Sequence, residues 1–195
     1  MSEPGPSVVV GEDGVARCPW GDQPSDYRVY HDDEWGRPVR DQRGLFERMS
    51  LEAFQSGLSW LIILRKREGF RRGFADFDPQ AVAEFGTGDV ERLLGDAGIV
   101  RNRAKIEATV ANARAVLELD RPLSELLWSY APDNGSRPAP QTLADIPSQT
   151  PESKAMSRDL KRRGFRFVGP TTAYALMQAT GMVDDHLADC HARRR

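Results

Sequence analysis

The chain has 195 residues, enough for one domain with a real core or for two small lobes. Hydrophobic residues make up 39% and charged residues 29%, and no apolar run approaches the roughly 18 residues that cross a bilayer, so a membrane-spanning helix is excluded. The net charge of −2 does not by itself indicate a nucleic-acid binder, so the placement of charge matters more than its total.

Residues 1–16 are rich in Gly, Pro and acidic side chains and predict a disordered extension, with Val8-Val9-Val10 too short to matter. The start lacks a basic n-region and a long apolar stretch, so no secretory signal is expected and a cytoplasmic location follows. No alternating pattern predicts a sheet. Leu45, Phe46, Met49, Ala53 and Phe54 recur at helical spacing, and Leu58 to Leu64 is almost continuously apolar, as in a buried helix. Asp78-Pro79 predicts an N-cap with proline at the first helical position. Val90, Leu93, Leu94 and Ala97 form a stripe that ends at Gly98, a residue suited to stop a helix. Ile106, Val110, Ala113 and Leu117 mark a longer helix. Residues 131–150 predict a long loop, followed by helices over 151–163 and 170–180. The expectation is an all-α protein with one domain over 17–195.

Basic residues cluster at Arg65-Lys66-Arg67, Arg71-Arg72, Lys161-Arg162-Arg163 and Arg193-Arg194-Arg195. Any one cluster alone reads as a solvated helix face. Residues 159–181 read as helix, glycine-bounded turn, helix, with Gly164 and Gly169 at the turn and Pro170 opening the second helix. The free N–H groups at that opening suit an anion such as a DNA phosphate, with Lys161, Arg162, Arg163 and Arg166 nearby. An ordinary αα-corner with a basic surface is the other reading.

Cys18 and Cys190 lie near opposite ends, and a disulfide is disfavoured in a reducing compartment. His31 follows Cys18, and His186 precedes Cys190 by one helical turn's spacing. If 186–190 is helical, that pair faces one way and can pinch an ion. Two thiolates and two imidazoles make a closed tetrahedral zinc site, structural rather than catalytic. The alternative is two unrelated pairs, and spacing leaves both open.

Glu52 follows Met49 and Leu45 on or beside the apolar face of its helix, where a carboxylate needs a reason. It is either an ion-pair partner of a nearby arginine, a residue far enough round to reach water, or the floor of a pocket. Walled by Tyr27, Tyr30, Trp35 and Trp60, such a pocket would suit a flat, positively charged base.

The segments Cys18-Pro19-Trp20, Tyr30-His31-Asp32-Asp33-Glu34-Trp35-Gly36, Leu51-Glu52, Gly57-Leu58-Ser59-Trp60, Phe77-Asp78-Pro79, Arg163-Gly164-Phe165-Arg166-Phe167-Val168-Gly169 and Asp185-His186 occur in order and together resemble the 3-methyladenine DNA glycosylase I family. That resemblance implies a helix-hairpin-helix glycosylase fold in two helical lobes, tied at its ends by one structural Zn2+ on Cys18, His31, His186 and Cys190. It implies base-excision repair of alkylated double-stranded DNA by a monomer. Glu52 falls at the base-recognising glutamate, and Tyr30 and Trp60 at the residues that hold the flipped base. Tyr27 and Trp35 match other pocket aromatics. DNA contacts are expected from Gly57 and Leu58 at the gap left in the duplex, and from Arg163, Gly164, Arg166, Gly169 and Thr171 at the hairpin. Asp184 departs from the family pattern, and related glycosylases of other specificity carry a catalytic aspartate in the matching stretch. It is therefore either catalytic or a cap beside the zinc ligands.

The implied function is excision of 3-methyladenine by base flipping and hydrolysis of the N-glycosidic bond. A non-catalytic DNA-binding module with the same hairpin and zinc is the alternative. A zinc hydrolase is disfavoured, because the two Cys and two His fill the coordination sphere.

Overall fold

The computed structural model describes residues 7–133 and 137–193. Arg194 and Arg195 of the last basic cluster, and the first part of the N-terminal extension, lie outside the described residues. The helices are α1 (Ser25–Asp33), α2 (Gln42–Gln55), α3 (Trp60–Gly73), α4 (Pro79–Ala83), α5 (Thr87–Gly95), α6 (Arg103–Leu117), α7 (Leu123–Trp128), α8 (Pro151–Arg162) and α9 (Pro170–Ala179). Local chemistry fixes several starts. Asp41 caps α2 by accepting from Gly44 N at 2.7 Å, Asp78 caps α4 from Gln80 N at 3.0 Å ahead of Pro79, and Asn102 caps α6 from Lys105 N at 3.1 Å.

Four expectations are corrected. The extension is not disordered through residue 16: Val9–Val10 (β1) pairs antiparallel with Ala16–Arg17 (β2). What orders it is charge from elsewhere in the chain. Arg17, 4% exposed, bridges Asp13 and Asp32 at 2.8 Å each. Second, α3 starts at Trp60 rather than Leu58, because Gly57 at φ +83° and a Leu58 N to Gln55 O bond of 2.6 Å make a turn first. Third, α5 stops before Gly98, where the Asp96 side chain accepts from Gly98 N at 2.7 Å. Fourth, α7 and a short 3-10 turn at Leu143–Asp145 were not expected, being too short to show a period.

The Gly98 carbonyl instead lies against α3. A Cβ on Gly69 of α3 would collide with the Gly98 carbonyl, so the missing side chain at Gly69 lets helix and loop touch. Gly69→Ala is expected to destabilise by roughly 1–3 kcal/mol in denaturant unfolding, as overpacking does. Gly88→Ala, where a Cβ meets nothing within 4 Å, is the control and should be neutral or slightly stabilising.

The interior is one large apolar cluster spanning α2 to α9, with small clusters around Cys18, Leu187 and Cys190 and around Tyr30, Trp35 and Ala179. The small clusters hold Cys18 and Cys190 and part of an aromatic cavity. No helix among the described residues is long and apolar enough to cross a membrane.

Candidate functional site

Cys18, His31, His186 and Cys190 are all buried, with their ligand atoms within 4.8 Å of one another. The Cys190 sulfur lies 3.4 Å from His31 Nε2 and 3.6 Å from His186 Nδ1, and the Cys18 sulfur 3.8 Å from His186 Nδ1. Residues 186–190 are not helical, contrary to the condition set by spacing. A turn closed by Cys190 N and Leu187 O at 2.9 Å brings the pair together instead. Both ring tautomers are fixed from behind. His31 Nδ1–H donates to Asp32 Oδ1 at 2.8 Å, and His186 Nε2–H donates to the Trp35 carbonyl at 3.1 Å, leaving the other nitrogens to face the sulfurs.

The cluster can hold a metal ion. The two sulfurs cannot both be thiolates alone: the hydrogen bond between them pushes the Cys18 thiol up and the Cys190 thiol down. A divalent cation at the centre removes that conflict. Around it, residues the sequence reading missed form a brace. Asp32 takes hydrogen bonds from Arg17, His31 and His191, and Arg193 donates to the His186 carbonyl at 2.5 Å. Arg193 is thereby committed to the fold rather than to a partner.

Beside this centre lies a cavity of about 400 Å³ lined by Tyr27, Tyr30, Trp35, Glu52 and Trp60, which the sequence reading had grouped. It is also lined by Trp20, Gln55 and Gln178, and by Leu143 and Ile146 of the segment expected to be plain loop. The Tyr30 and Trp60 ring centres lie 5.4 Å apart at 48°. A ring sandwiched between two others needs about 7 Å, so a flat ligand would have to pack against their joint surface or part them. Tyr27 has a second task, accepting from Leu61 N at 3.0 Å and so holding the start of α3. Trp35 joins the two sites: it lines the cavity, and its carbonyl orients His186 of the Cys/His cluster.

Glu52 is 6% exposed and has no hydrogen-bond or salt-bridge partner among the described residues. Arg48, one turn earlier, pairs with Glu34 and Glu47 instead, which answers the ion-pair alternative. Burial pushes the Glu52 carboxyl up to about 8, against the smaller opposing pull of the Arg48 charge. The buried Trp60 indole N–H also lacks a partner. An unpaired acid and an unpaired donor in an aromatic cavity are what a polar ligand would satisfy.

Asp184 does not line this cavity. Its carboxylate accepts from His186 N at 3.2 Å, a capping geometry, and faces Arg193. The next residue, Asp185, is 2% exposed and holds Tyr174, Gln178 and Arg137.

The α8–α9 hairpin turns at Gly164, φ +88°, and at Phe167, φ +55°, whereas Gly169 is extended at φ −65° and needs no glycine for its conformation. Lacking a side chain, Gly169 leaves the first amides of α9 uncapped. Asn112 of α6 clamps the turn, accepting from Arg166 N at 2.7 Å and donating to Arg166 O at 3.1 Å. The Arg163 guanidinium pairs with Asp120 at 2.9 Å and with Asp159 at 3.3 Å. The Arg166 side chain has no such partner among the described residues, and Thr171 is exposed. Gly57 and Leu58 form the turn between Gln55 and Trp60, and Leu58 is 37% exposed. Lys105 steadies that turn by donating to the Phe54 and Ser56 carbonyls at 2.8 and 2.6 Å.

The sequence profile of the methyladenine glycosylase family matches residues 20–194. The chain is 46% identical over 179 residues to DNA-3-methyladenine glycosylase 1 of Escherichia coli, covering 90% of this chain and 96% of that protein. It is 44% identical over 179 residues to DNA-3-methyladenine glycosylase of Haemophilus influenzae, covering 90% and 97%. A crystal structure of 3-methyladenine DNA glycosylase I is similar with a TM-score of 0.88 at 44% identity, over 91% of this chain and 100% of that one. A Staphylococcus aureus structure described as the structural basis of 3-methyladenine recognition gives a TM-score of 0.86 at 36% identity, over 92% and 97%.

Proposed function

Because the chain belongs to the methyladenine glycosylase family, whose curated relatives are DNA-3-methyladenine glycosylases, we propose that its aromatic cavity binds a flipped 3-methyladenine by its charge. The observation that carries this is the buried, partnerless Glu52. Methylation at N3 puts a fixed positive charge on the base within the nucleotide, so the base is already a good leaving group and needs no general acid. Flipping it out costs a few kcal/mol. At about 4 Å and an effective dielectric of 20, a carboxylate attracts a cation by about 4 kcal/mol. Ionising an acid of pKa about 8 at pH 7 costs only about 1.4 kcal/mol. A cationic base therefore draws Glu52 into its charged form, whereas neutral adenine does not repay that ionisation. Incubation with methylated duplex DNA should release free 3-methyladenine, read by chromatography, and release of no base would overturn the reading.

The metal is proposed to be one structural zinc per chain. With Zn–S of about 2.3 Å and Zn–N of about 2.0 Å, a tetrahedral ion sets S···N separations near about 3.5 Å. The observed 3.4 to 3.8 Å fits that set. Four protein ligands leave no position for water, so the ion supplies no nucleophile and serves to tie the chain ends together.

Double-stranded DNA is proposed to lie across the hairpin, with a phosphate at the uncapped amides of Thr171 and its neighbour, beside Gly164, Gly169 and Arg166. Gly57 and Leu58 would enter the gap left by the flipped base. Arg166→Ala should lower affinity for all sequences alike and reduce the salt slope by about 1. Asn112→Ala, which frees the turn, should do the same while costing roughly 1–3 kcal/mol of stability. Loss confined to one sequence context, in fluorescence anisotropy across salt, would contradict a phosphate anchor.

A further inference from the structure

We propose that Gln178 is a specificity residue, which reads the exocyclic amine of the flipped base through its side-chain oxygen. The proposal rests on the cavity being the base pocket. Gln178 lies on α9 and lines that cavity. Its Nε2 donates to Asp185 Oδ2 at 2.9 Å. Asp185 is buried, pairs with Arg137 at 3.3 Å and also takes the Tyr174 hydroxyl, and Arg137 in turn donates to that hydroxyl at 2.8 Å.

An amide can present either end, and the chemistry of its neighbour decides which. A carboxylate held by a guanidinium only accepts hydrogen bonds, so the amide must turn its NH2 toward Asp185. Its Oε1 is then on the other prong, with no partner among the described residues. The cavity thus holds an acceptor that cannot become a donor without breaking the Asp185 bond. Gln55 also lines the cavity but is tied to no anion among the described residues, so it can flip to suit either kind of edge.

A fixed acceptor distinguishes purines at their six position. The amine of 3-methyladenine donates to it. The carbonyl of 3-methylguanine, which carries the same alkylation charge, would set oxygen against oxygen and leave both without a proton. Glu52 answers the charge that both alkylated bases carry, and Gln178 adds a distinction at the six position. Asp185 is a positioning residue here, acting through the amide it holds.

The test is the ratio of 3-methyladenine to 3-methylguanine released from methylated duplex DNA under single-turnover conditions. Wild-type protein should favour 3-methyladenine. Gln178→Leu should lower the ratio by roughly 10- to 100-fold, chiefly by slowing 3-methyladenine release. Asp185→Asn, which can both donate and accept, should free the Gln178 amide and lower the ratio in the same direction with Gln178 still present. A merely structural role for Gln178 would slow both bases equally and leave the ratio unchanged. Thermal unfolding on the same samples confirms folding, and Gln178→Ala replaces the leucine variant if that one does not fold. An unchanged ratio in a folded Gln178 variant overturns this inference alone, whereas absence of 3-methyladenine release by wild type overturns it together with the glycosylase reading.

Discussion

Glu52→Gln is expected to cut release of 3-methyladenine by about two orders of magnitude at pH 7 while raising the stability of the folded protein. The activity loss follows from the balance between about 4 kcal/mol of attraction to the cationic base and about 1.4 kcal/mol to ionise the acid. Gln keeps shape and removes the charge. The stability gain follows from the same burial. With a folded pKa of about 8 against an ordinary 4.5, Glu52 is protonated in both states below pH 4.5 and contributes nothing there. As pH rises from 4.5, the unfolded chain ionises and the folded one resists, so stability is lost progressively until about pH 8. The glutamine variant escapes this loss. Its advantage should be on the order of 1–3 kcal/mol at pH 8, since an unpartnered amide still remains, and should vanish near pH 4. Thermal melts of both proteins from pH 4 to 8 check this. A variant that melts lower at pH 8 would mean that Glu52 holds the fold together. Affinity for undamaged DNA should be nearly unchanged, because the phosphate contacts are proposed to lie at the hairpin.

Cys190→Ala should lose the metal and several kcal/mol of stability. Structural zinc contributes on the order of 10 kcal/mol in small peptides that fold only with it. Less is expected here, because a large apolar cluster from α2 to α9 stands without the metal ligands. The loss should appear as a lower unfolding temperature and as zinc absent from elemental analysis. Base release should persist at temperatures below unfolding, since Glu52 and Trp60 sit on α2 and α3 of the large core. It should be reduced rather than normal, because His186 would no longer be held and its bond to the Trp35 carbonyl would slacken one wall of the cavity. Wild-type protein prepared without chelator and found free of zinc would contradict the metal assignment.

Much of this arrangement was legible from residue pattern. Periodicity placed α2 and α6, helix-opening prolines placed α8 and α9, and chemical type raised the two Cys–His pairs and five cavity residues as candidates that the family resemblance then joined. What stayed hidden depends on the fold's long-range contacts. The N-terminal hairpin is ordered by Arg17 reaching Asp32, fifteen positions away, which composition cannot report. Gln178 and Asp185 acquire a role only when α9 and the last turn meet. Arg163 and Arg166 look alike in a basic run, yet Asp120 and Asp159 claim one and leave the other. Asp184 and Asp185 are adjacent, and only the geometry shows that the first caps a turn and the second anchors a network.

The most direct test of a buried acid that recognises a base by charge is the pH profile of 3-methyladenine release under subsaturating conditions. Alkylation fixes the charge of the base in DNA, so the profile reports on the protein. Wild-type kcat/KM should rise from pH 6 and level off above about pH 8 as Glu52 ionises, while Glu52→Gln should be low and flat over the same range. Superimposable profiles for the two proteins would contradict the account.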